Sequence, residues 1–166
     1  MIKKELAGAN TNITNKNMLE YKDLRWILQS YGLMGAFYNA MNMEKQCEGA
    51  YVRYVQIIEQ FFNKDSLETS NAYFLIGIYY YEQSQTHKAT ACLRKALAIR
   101  EDKFGPMHVS CSDCLLNLGI IYKLRGLTEQ SRIHLEKALL IRKEAVGVHS
   151  LPAAAVHEEL GKFYLE

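Results

Sequence analysis

The residues best suited to bind a metal ion are a histidine and two cysteines in the stretch HVSCSDC. His108, Cys111 and Cys114 follow one another at spacings of three, near the start of a predicted helix. Imidazole and thiolate bind zinc, but a structural zinc site needs four ligands, commonly from two separated pairs, and the sequence offers no second pair. A redox Cys-x-x-Cys normally follows a strand, and no strand is predicted. We therefore expect small, half-buried helix cysteines, with His108 in a loop.

Known catalytic motifs do not occur in the sequence. Residues 157–161, HEELG, lack the second histidine of a zinc-protease helix. A phosphate-binding loop, a dinucleotide-binding glycine fingerprint and a G-x-S-x-G motif are also missing. The remaining cysteines, Cys47 and Cys92, have no metal-binding spacing and are predicted to be structural. The sequence thus predicts no catalytic residues, no metal, no cofactor and no enzyme activity.

The charges of the chain are nearly balanced, with 20 Lys and Arg against 18 Asp and Glu. This balance argues against a nucleic-acid partner. Basic residues concentrate on the predicted second helices, but acidic residues alternate with them, which favours a solvated outer face over a phosphate or membrane patch. These basic residues are Lys88, Arg94, Lys95, Arg100, Lys103, Arg132, Lys137, Arg142 and Lys143.

The lengths of the apolar stretches indicate where the protein is located. The longest, residues 72–81, is half of the roughly 20 residues that a membrane-spanning helix requires. The first residues contain a basic start without the apolar run of a secretory signal. Four cysteines without such a signal suggest reduced thiols. We therefore expect a cytoplasmic protein without a membrane partner.

A repeat of 42 residues organises the chain. Each unit has a glycine preceded by a large apolar residue, with a tyrosine three residues later. The glycines are Gly35, Gly77, Gly119 and Gly161, and the tyrosines are Tyr38, Tyr80, Tyr122 and Tyr164. A small residue follows twelve positions after the glycine: Cys47, Ala89 and Ser131. Because glycine costs about 1 kcal/mol relative to alanine inside a helix, its recurrence predicts close contact between paired helices.

Each unit is predicted to contain two antiparallel helices. First helices are expected at about 20–41, 67–83, 109–125 and 152–165, and second helices at about 43–62, 86–104 and 128–146. Gly105 before Pro106, and Gly147, indicate ends of second helices. Asp65 with Glu68 resembles a capping box before the second unit.

The expected domain organisation follows from these helices. Residues 1–20, which are polar and rich in asparagine, are predicted to form a flexible tail. Residues 21–166 are predicted to form one repeat domain. Its units cover about 25–66, 67–108 and 109–150, with a final helix at 151–166.

The repeat resembles the tetratricopeptide repeat. The second helices of units two and three place a leucine and an alanine after the small residue, at Leu93 and Ala96 and at Leu135 and Ala138. The period and the phrases KALAIREDKFGPMH and LLNLGIIYKLRG resemble the long repeats of kinesin light chains. Unit one departs from this pattern, as terminal repeats commonly do, with Tyr51, Tyr54 and Ile58 in place of the leucine, alanine and arginine. The resemblance implies an all-α fold, a right-handed superhelical solenoid of antiparallel helix pairs.

The resemblance also implies a concave groove, lined by first helices, that binds peptides. The residues at its groove positions are Asn39, Phe74, Ile78, Tyr81, Leu116, Asn117, Ile120, Lys123 and Lys162, with Glu158 preceding the last. Kinesin light chain repeats are similar at Asn117 and Lys123 but usually have asparagine at the place of Leu116. Gly32 and Phe74 stand where chaperone-binding repeats carry the polar residues of a carboxylate clamp.

This groove favours a peptide with apolar anchors or a docked helix. Packing of Phe74 and Ile78 against a neighbouring subunit, or against an extra segment of the parent protein, is the equal alternative. We therefore expect a noncatalytic adaptor or scaffold that binds a protein or peptide. The alternative is a structural part locked into a larger cytoskeletal or ciliary assembly, and a metal or redox protein ranks third.

The last helix leads to two further expectations. Residues 163–165, FYL, would end the chain on an apolar turn. We therefore expect either further repeats beyond Glu166, which we favour, or a capping helix. Self-association through this exposed C-terminal helix is also expected.

Overall fold

The computed structural model describes residues 15–62, 64–146 and 151–164, and the chain within these ranges is helical with short turns and without strands. The described residues form seven helices. They are α1 (Asn15–Ala40), α2 (Glu44–Phe61), α3 (Leu67–Glu82), α4 (Thr86–Phe104), α5 (Val109–Leu124), α6 (Thr128–Val146) and α7 (Leu151–Tyr164). The predicted all-α fold and its order of helices are confirmed. None of the helices described has the length and apolar character needed to cross a membrane.

The ends of the helices refine the sequence prediction at three places. Helix α1 begins at Asn15, so residues 15–20 of the predicted tail are helical, and residues 1–14 lie outside the described ranges. The cap of α3 is Ser66 rather than Asp65, since Ser66 Oγ accepts a hydrogen bond from the Thr69 N–H at 3.2 Å. Helix α4 ends before Gly105 as predicted, whereas Gly147 lies outside the described residues.

The turn between the two helices of a pair has the same construction in all three units. In each turn, the residue seven positions after the repeat glycine has a left-handed backbone conformation. These residues are Asn42, Ser84 and Gly126, with φ of 54°, 57° and 70°. The next N–H donates to the carbonyl oxygen of the repeat tyrosine, at 2.9 Å for Tyr38, 2.8 Å for Tyr80 and 2.9 Å for Tyr122. This is the Schellman pattern of helix termination. By accepting this hydrogen bond, the tyrosine carbonyl stabilises the short turn between the two antiparallel helices.

The repeat glycines bring the two helices of a pair into close contact, as predicted. A Cβ atom built on Gly35 would stand 2.6 Å from the ring of Tyr51, one on Gly77 2.9 Å from Leu93, and one on Gly119 2.7 Å from Leu135. Carbon atoms in favourable contact are about 3.5–4.0 Å apart, so a larger residue would have to displace its neighbour.

The small residue twelve positions later completes this contact. Cys47 Sγ donates to the Gly35 carbonyl oxygen at 3.3 Å, and Ser131 Oγ donates to that of Gly119 at 2.8 Å. Gly161 in α7 differs, because a Cβ atom there would meet nothing within 4 Å. The packing role predicted for the glycine thus holds in the three complete pairs.

The chain divides into two compact units, and the boundary between them along the sequence falls within the residues of α3. Unit 1 ends at Ala72 and unit 2 begins at Tyr73. The core of unit 1 is formed by Leu28, Ile57, Ile58 and Ala72. The core of unit 2 includes fully buried side chains from α4 to α7: Leu93, Leu118, Ile121, Leu135, Ile141 and Val156.

Candidate protein-binding surface

Most of the predicted groove residues lie on two helices of unit 2. Phe74, Ile78 and Tyr81 are spaced by four and three residues on α3, and they are half-buried. Leu116, Ile120 and Lys123 have the same spacing on α5 and the same intermediate exposure. Residues at such spacing share one face of a helix. We call these six residues the unit 2 surface.

Arg100 of α4 connects the two helices that carry this surface. Its guanidinium lies over the ring of Phe74, 4.8 Å from the ring centroid. It also donates to the carbonyl oxygen of Ser110, at the start of α5, at 2.7 Å. Only 8% of Arg100 is exposed, so the predicted solvated outer face is wrong for this residue. The buried guanidinium therefore contacts both Phe74 and the start of α5, and its charge is not exposed to solvent.

Arg142 of α6 is the second buried arginine, at 6% exposure, and it too was predicted to be solvated. Its Nε donates to Ser112 Oγ at 3.0 Å, and its Nη2 lies 2.6 Å from the Asp113 carboxylate oxygen Oδ1. Both arginines follow a buried isoleucine and are separated by one repeat, Arg100 after Ile99 and Arg142 after Ile141. This shared register is the signal from which their burial could have been predicted.

Asp113 adds an acidic group that the sequence pattern did not single out. It precedes Leu116 by three residues and Ile120 by seven, so it lies on the same face of α5. Its side chain is 53% exposed although it pairs with Arg142. Leu124, at the other end of α5, is 64% exposed next to Lys123. The face of α5 thus runs from a carboxylate, through apolar side chains, to an ammonium group.

The other predicted site residues are engaged differently. Asn117 Nδ2 donates to the Asp113 carbonyl oxygen of its own helix at 2.8 Å. Lys162 Nζ lies 2.8 Å from Glu158 Oε1 and 2.9 Å from Glu159 Oε1, and the hydrogen bonds to these carboxylates raise the pKa of Lys162 above its ordinary value. Asn39 is half-buried and belongs to unit 1, not to the unit 2 surface.

The histidine and cysteines of the HVSCSDC stretch contact separate partners. His108 caps α5 by accepting a hydrogen bond from the Ser110 N–H at 3.2 Å, and its ring stacks on that of Phe104. Cys111 Sγ donates to the Gly105 carbonyl oxygen at 3.5 Å, whereas Cys114 Sγ accepts from Arg100 at 3.3 Å. In the part of the chain that the structure describes, no three His, Cys, Asp or Glu side chains are arranged to hold a metal ion.

The two cysteines are more buried than the half-buried state that we predicted, since neither Cys111 nor Cys114 has any exposed surface. Burial raises the pKa of the Cys114 thiol to about 12, which keeps it protonated at neutral pH. Burial also raises the pKa of Cys111. Cys47 is buried and Cys92 is half-buried.

Comparison with protein families agrees with the geometry of the pairs. Models of the tetratricopeptide repeat match residues 26–102 and residues 112–152. Among curated proteins, none matches the sequence.

Solved structures show the same fold. The crystal structure of BtubC (BKLC) from P. vanneervenii is 19% identical with a TM-score of 0.77, over 89% of this chain and 59% of that one. A second crystal structure is that of a Podosopora anserina protein described as a kinesin light chain, whose TPR-like repeats are nearly identical to one another. It is 17% identical to this chain with a TM-score of 0.74, over 82% of this chain and 65% of that one. A single-residue variant of the latter gives 17% identity and a TM-score of 0.75, over 83% and 65%.

The chain therefore spans between 59% and 65% of the length of these structures. Together, the glycine contacts, the repeated turns and the family matches identify the repeat, and the structural likeness agrees with its fold. The chain belongs to the tetratricopeptide repeat family, and its fold is similar to that of the kinesin light chain repeats.

Proposed function

We propose that the protein is a noncatalytic interaction module, an adaptor or scaffold, whose unit 2 surface binds a peptide or helix of a partner protein. Tetratricopeptide repeats generally mediate interactions between proteins, and the family matches cover most of the chain. The proposal places the site on Phe74, Ile78 and Tyr81 of α3 and on the residues of the same spacing on α5.

The observation that carries the proposal is the partial exposure of this surface together with its support by Arg100. Half-buried aromatic and aliphatic side chains still have apolar area to lose when a partner covers them. Since the guanidinium holds the Phe74 ring, ordering this surface on binding costs little conformational entropy. An interaction surface that is already fixed in the free protein binds more tightly than a mobile one of the same area.

The charges suggest the chemistry of the bound segment. Asp113 and Lys123 are ten residues apart on α5, which corresponds to roughly 15 Å along a helix. A segment with apolar anchors, an acidic residue near Lys123 and a polar or basic residue near Asp113 complements this face. The charges would then set the direction in which the segment binds, whereas the apolar contacts would supply most of the affinity.

The alternative is a surface that is permanently covered in a larger cytoskeletal assembly. The likeness to a protein described as a kinesin light chain supports this alternative, and it supports a cytoplasmic location near the cytoskeleton. Self-association through α7 stays a prediction. A partner that a short peptide competes away favours the adaptor, whereas a complex that resists competition favours the structural part.

The proposal is tested by affinity capture with Tyr81→Glu combined with Lys123→Glu. The control combines Ile133→Glu with Leu140→Glu, since both residues are about half exposed on α6. We expect the parent chain and the control to capture the same partner and the surface variant to lose it, with the helical circular-dichroism signal unchanged in all three. Capture that survives in the surface variant would place the interaction elsewhere.

A further inference from the structure

Helix α1 carries a second apolar face, opposite its contact with the core of unit 1. Five large side chains of the helix and Met41, the residue directly after it, form this face, and we call them the α1 stripe: Trp26, Ile27, Leu33, Met34, Phe37 and Met41. Each is between 41% and 68% exposed. Their spacings place them on one side of the helix, in a band about as wide as the apolar side of a buried helix. Leu28, on the other side, is buried in the core.

The equivalent face is covered in the third repeat. Two repeats further along, Ile27, Met34 and Phe37 correspond to Cys111, Leu118 and Ile121 of α5, which have no exposed surface. Helix α4 of the preceding repeat packs on that side of α5, where Arg100 meets Cys114 at 3.3 Å. Ile27, Met34 and Phe37 therefore give the α1 stripe the register of a helix-packing face, although their side chains are exposed.

The charge of the stripe restricts what can cover it. Residues 26–43 contain no Asp, Glu, Lys, Arg or His. A charged partner finds no counter-charge here, whereas two copies of the same face meet without repulsion. Such a self-complementary patch is the requirement for an isologous, two-fold interface.

The size of the stripe is sufficient for a dimer. Six large side chains that each leave on the order of 100 Å² exposed amount to an apolar patch of the same order as the roughly 800 Å² per partner in specific interfaces. Exposed patches on monomeric proteins rarely exceed a few hundred Å². The stripe lies at the upper end of what a monomer leaves in water.

We propose that the α1 stripe is the interface of a homodimer, in which α1 packs on α1 of a second copy about a two-fold axis near Leu33. Leu33 is close to the middle of the stripe, so the same anchors meet on both sides of the axis. The dimer goes beyond the proposed binding function, because it joins two interaction modules and raises the avidity for a bivalent partner.

Sedimentation equilibrium of the full chain tests the dimer. The parent chain is expected to be dimeric, and Leu33→Glu with Phe37→Glu is expected to weaken association at least about 100-fold, because two anchors per copy are lost and charges are buried against each other. The control Ile133→Glu with Leu140→Glu is expected to remain dimeric. Far-UV circular dichroism establishes that each variant is folded.

Disulfide trapping gives a second readout that does not depend on charge. Leu33→Cys is expected to form a covalent dimer under mild oxidation, whereas Leu124→Cys, equally exposed on α5, is not. A parent chain that is monomeric up to about 100 µM, well above the dissociation constants of specific complexes, would overturn the proposal. The stripe would then be covered by something other than a second copy, such as residues 1–14, lipid or another protein. Association beyond a dimer, or a dimer unchanged by Leu33→Glu and Phe37→Glu, would overturn it as well.

Discussion

The backbone of Gly119 lies directly against the side chain of Leu135, so that a Cβ atom on residue 119 would be 2.7 Å from Leu135 Cγ and Cδ2 and 3.4 Å from the Leu135 backbone nitrogen. Leu135 is 1% exposed and has little room to move. The same relationship joins Gly77 to Leu93 in the preceding repeat. The repeat glycine thus sets the distance between paired helices.

Gly119→Ala is expected to lower the free energy of unfolding by about 1–3 kcal/mol, because the added methyl group overpacks the contact with Leu135. Gly161→Ala is the matched control at the same repeat position. It is expected to stabilise the protein by about 0.5–1 kcal/mol, since alanine is the better helix former and nothing lies within 4 Å. Urea unfolding measures both. Equal effects at the two positions would contradict the packing role of the glycine.

Arg100→Ala is expected to cost about 2 kcal/mol of stability, because the Ser110 carbonyl loses a charge-assisted hydrogen bond and Phe74 loses its cover. Lys103→Ala serves as the control on the same helix. Its exposed pair with Asp102, at 3.4 Å, is worth little, so a change within about 0.5 kcal/mol is expected. Chemical denaturation compares them, and a loss as large for Lys103→Ala would contradict the distinction between buried and solvated basic residues.

Ser84→Gly is expected to raise stability by roughly 0.5–1 kcal/mol. Ser84 has φ of 57°, a left-handed conformation that strains an L-residue, and Gly126 already occupies the equivalent place in the next repeat. Ser84→Ala keeps the strain and is expected to give no gain. Thermal unfolding of the two variants decides, and a glycine variant no more stable than the alanine variant would show that the turn is not strained.

His134 is expected to make the protein less stable in mild acid. It lies edge-on to the ring of Tyr122 with a centroid distance of 4.9 Å, and burial lowers its pKa from the ordinary 6.5. Arg94 and Lys137 act in the same direction, while the Gln130 carbonyl and Glu101 oppose them. As the pH falls, the unfolded chain takes up the proton before the folded chain does. The contribution of neutral His134 to the free energy of unfolding is therefore complete above pH 6.5 and is lost between 6.5 and the lower pKa of the folded chain.

The measurement for His134 is the pH dependence of unfolding in the parent chain and in His134→Gln. The difference in stability between the two is expected to be constant above pH 6.5 and to shift against the parent below it. His87→Gln, at an exposed position of α4, controls for general effects of losing a histidine. A difference that does not change with pH would mean that His134 titrates alike in the folded and unfolded chains.

The helices could be predicted from the sequence because the repeat supplies several independent copies of the same signal. The glycine, the tyrosine and the small residue define each pair, and the observed starts of α3, α4, α5 and α6 agree with those predicted. Position in a repeat, however, does not say what covers a side chain. Met34 has the register of the buried Leu118 but is exposed, since no preceding repeat covers it among the described residues.

The candidate surface was harder to predict, because charge alone suggested that every basic residue of the second helices is solvated. Arg100 and Arg142 are buried because aromatic, carbonyl, hydroxyl and carboxylate partners satisfy their guanidinium groups. Such partners come from residues 10 to 30 positions away in the sequence, and helical periodicity does not identify them. Asp113 was missed for the same reason, because its partner Arg142 lies 29 positions away in the sequence.

Site-specific photo-crosslinking tests the central claim most directly. A benzoylphenylalanine residue is placed at Ile120, within the unit 2 surface, and in a separate chain at Ile133, on the exposed side of α6. After irradiation in cell extract, we expect a discrete protein adduct from position 120 and no such adduct from position 133. The adduct from position 120 is expected to be lost when the same chain also carries Tyr81→Glu and Lys123→Glu. Adducts from position 133 alone, or adducts from position 120 that survive both substitutions, would contradict a partner-binding surface on α3 and α5.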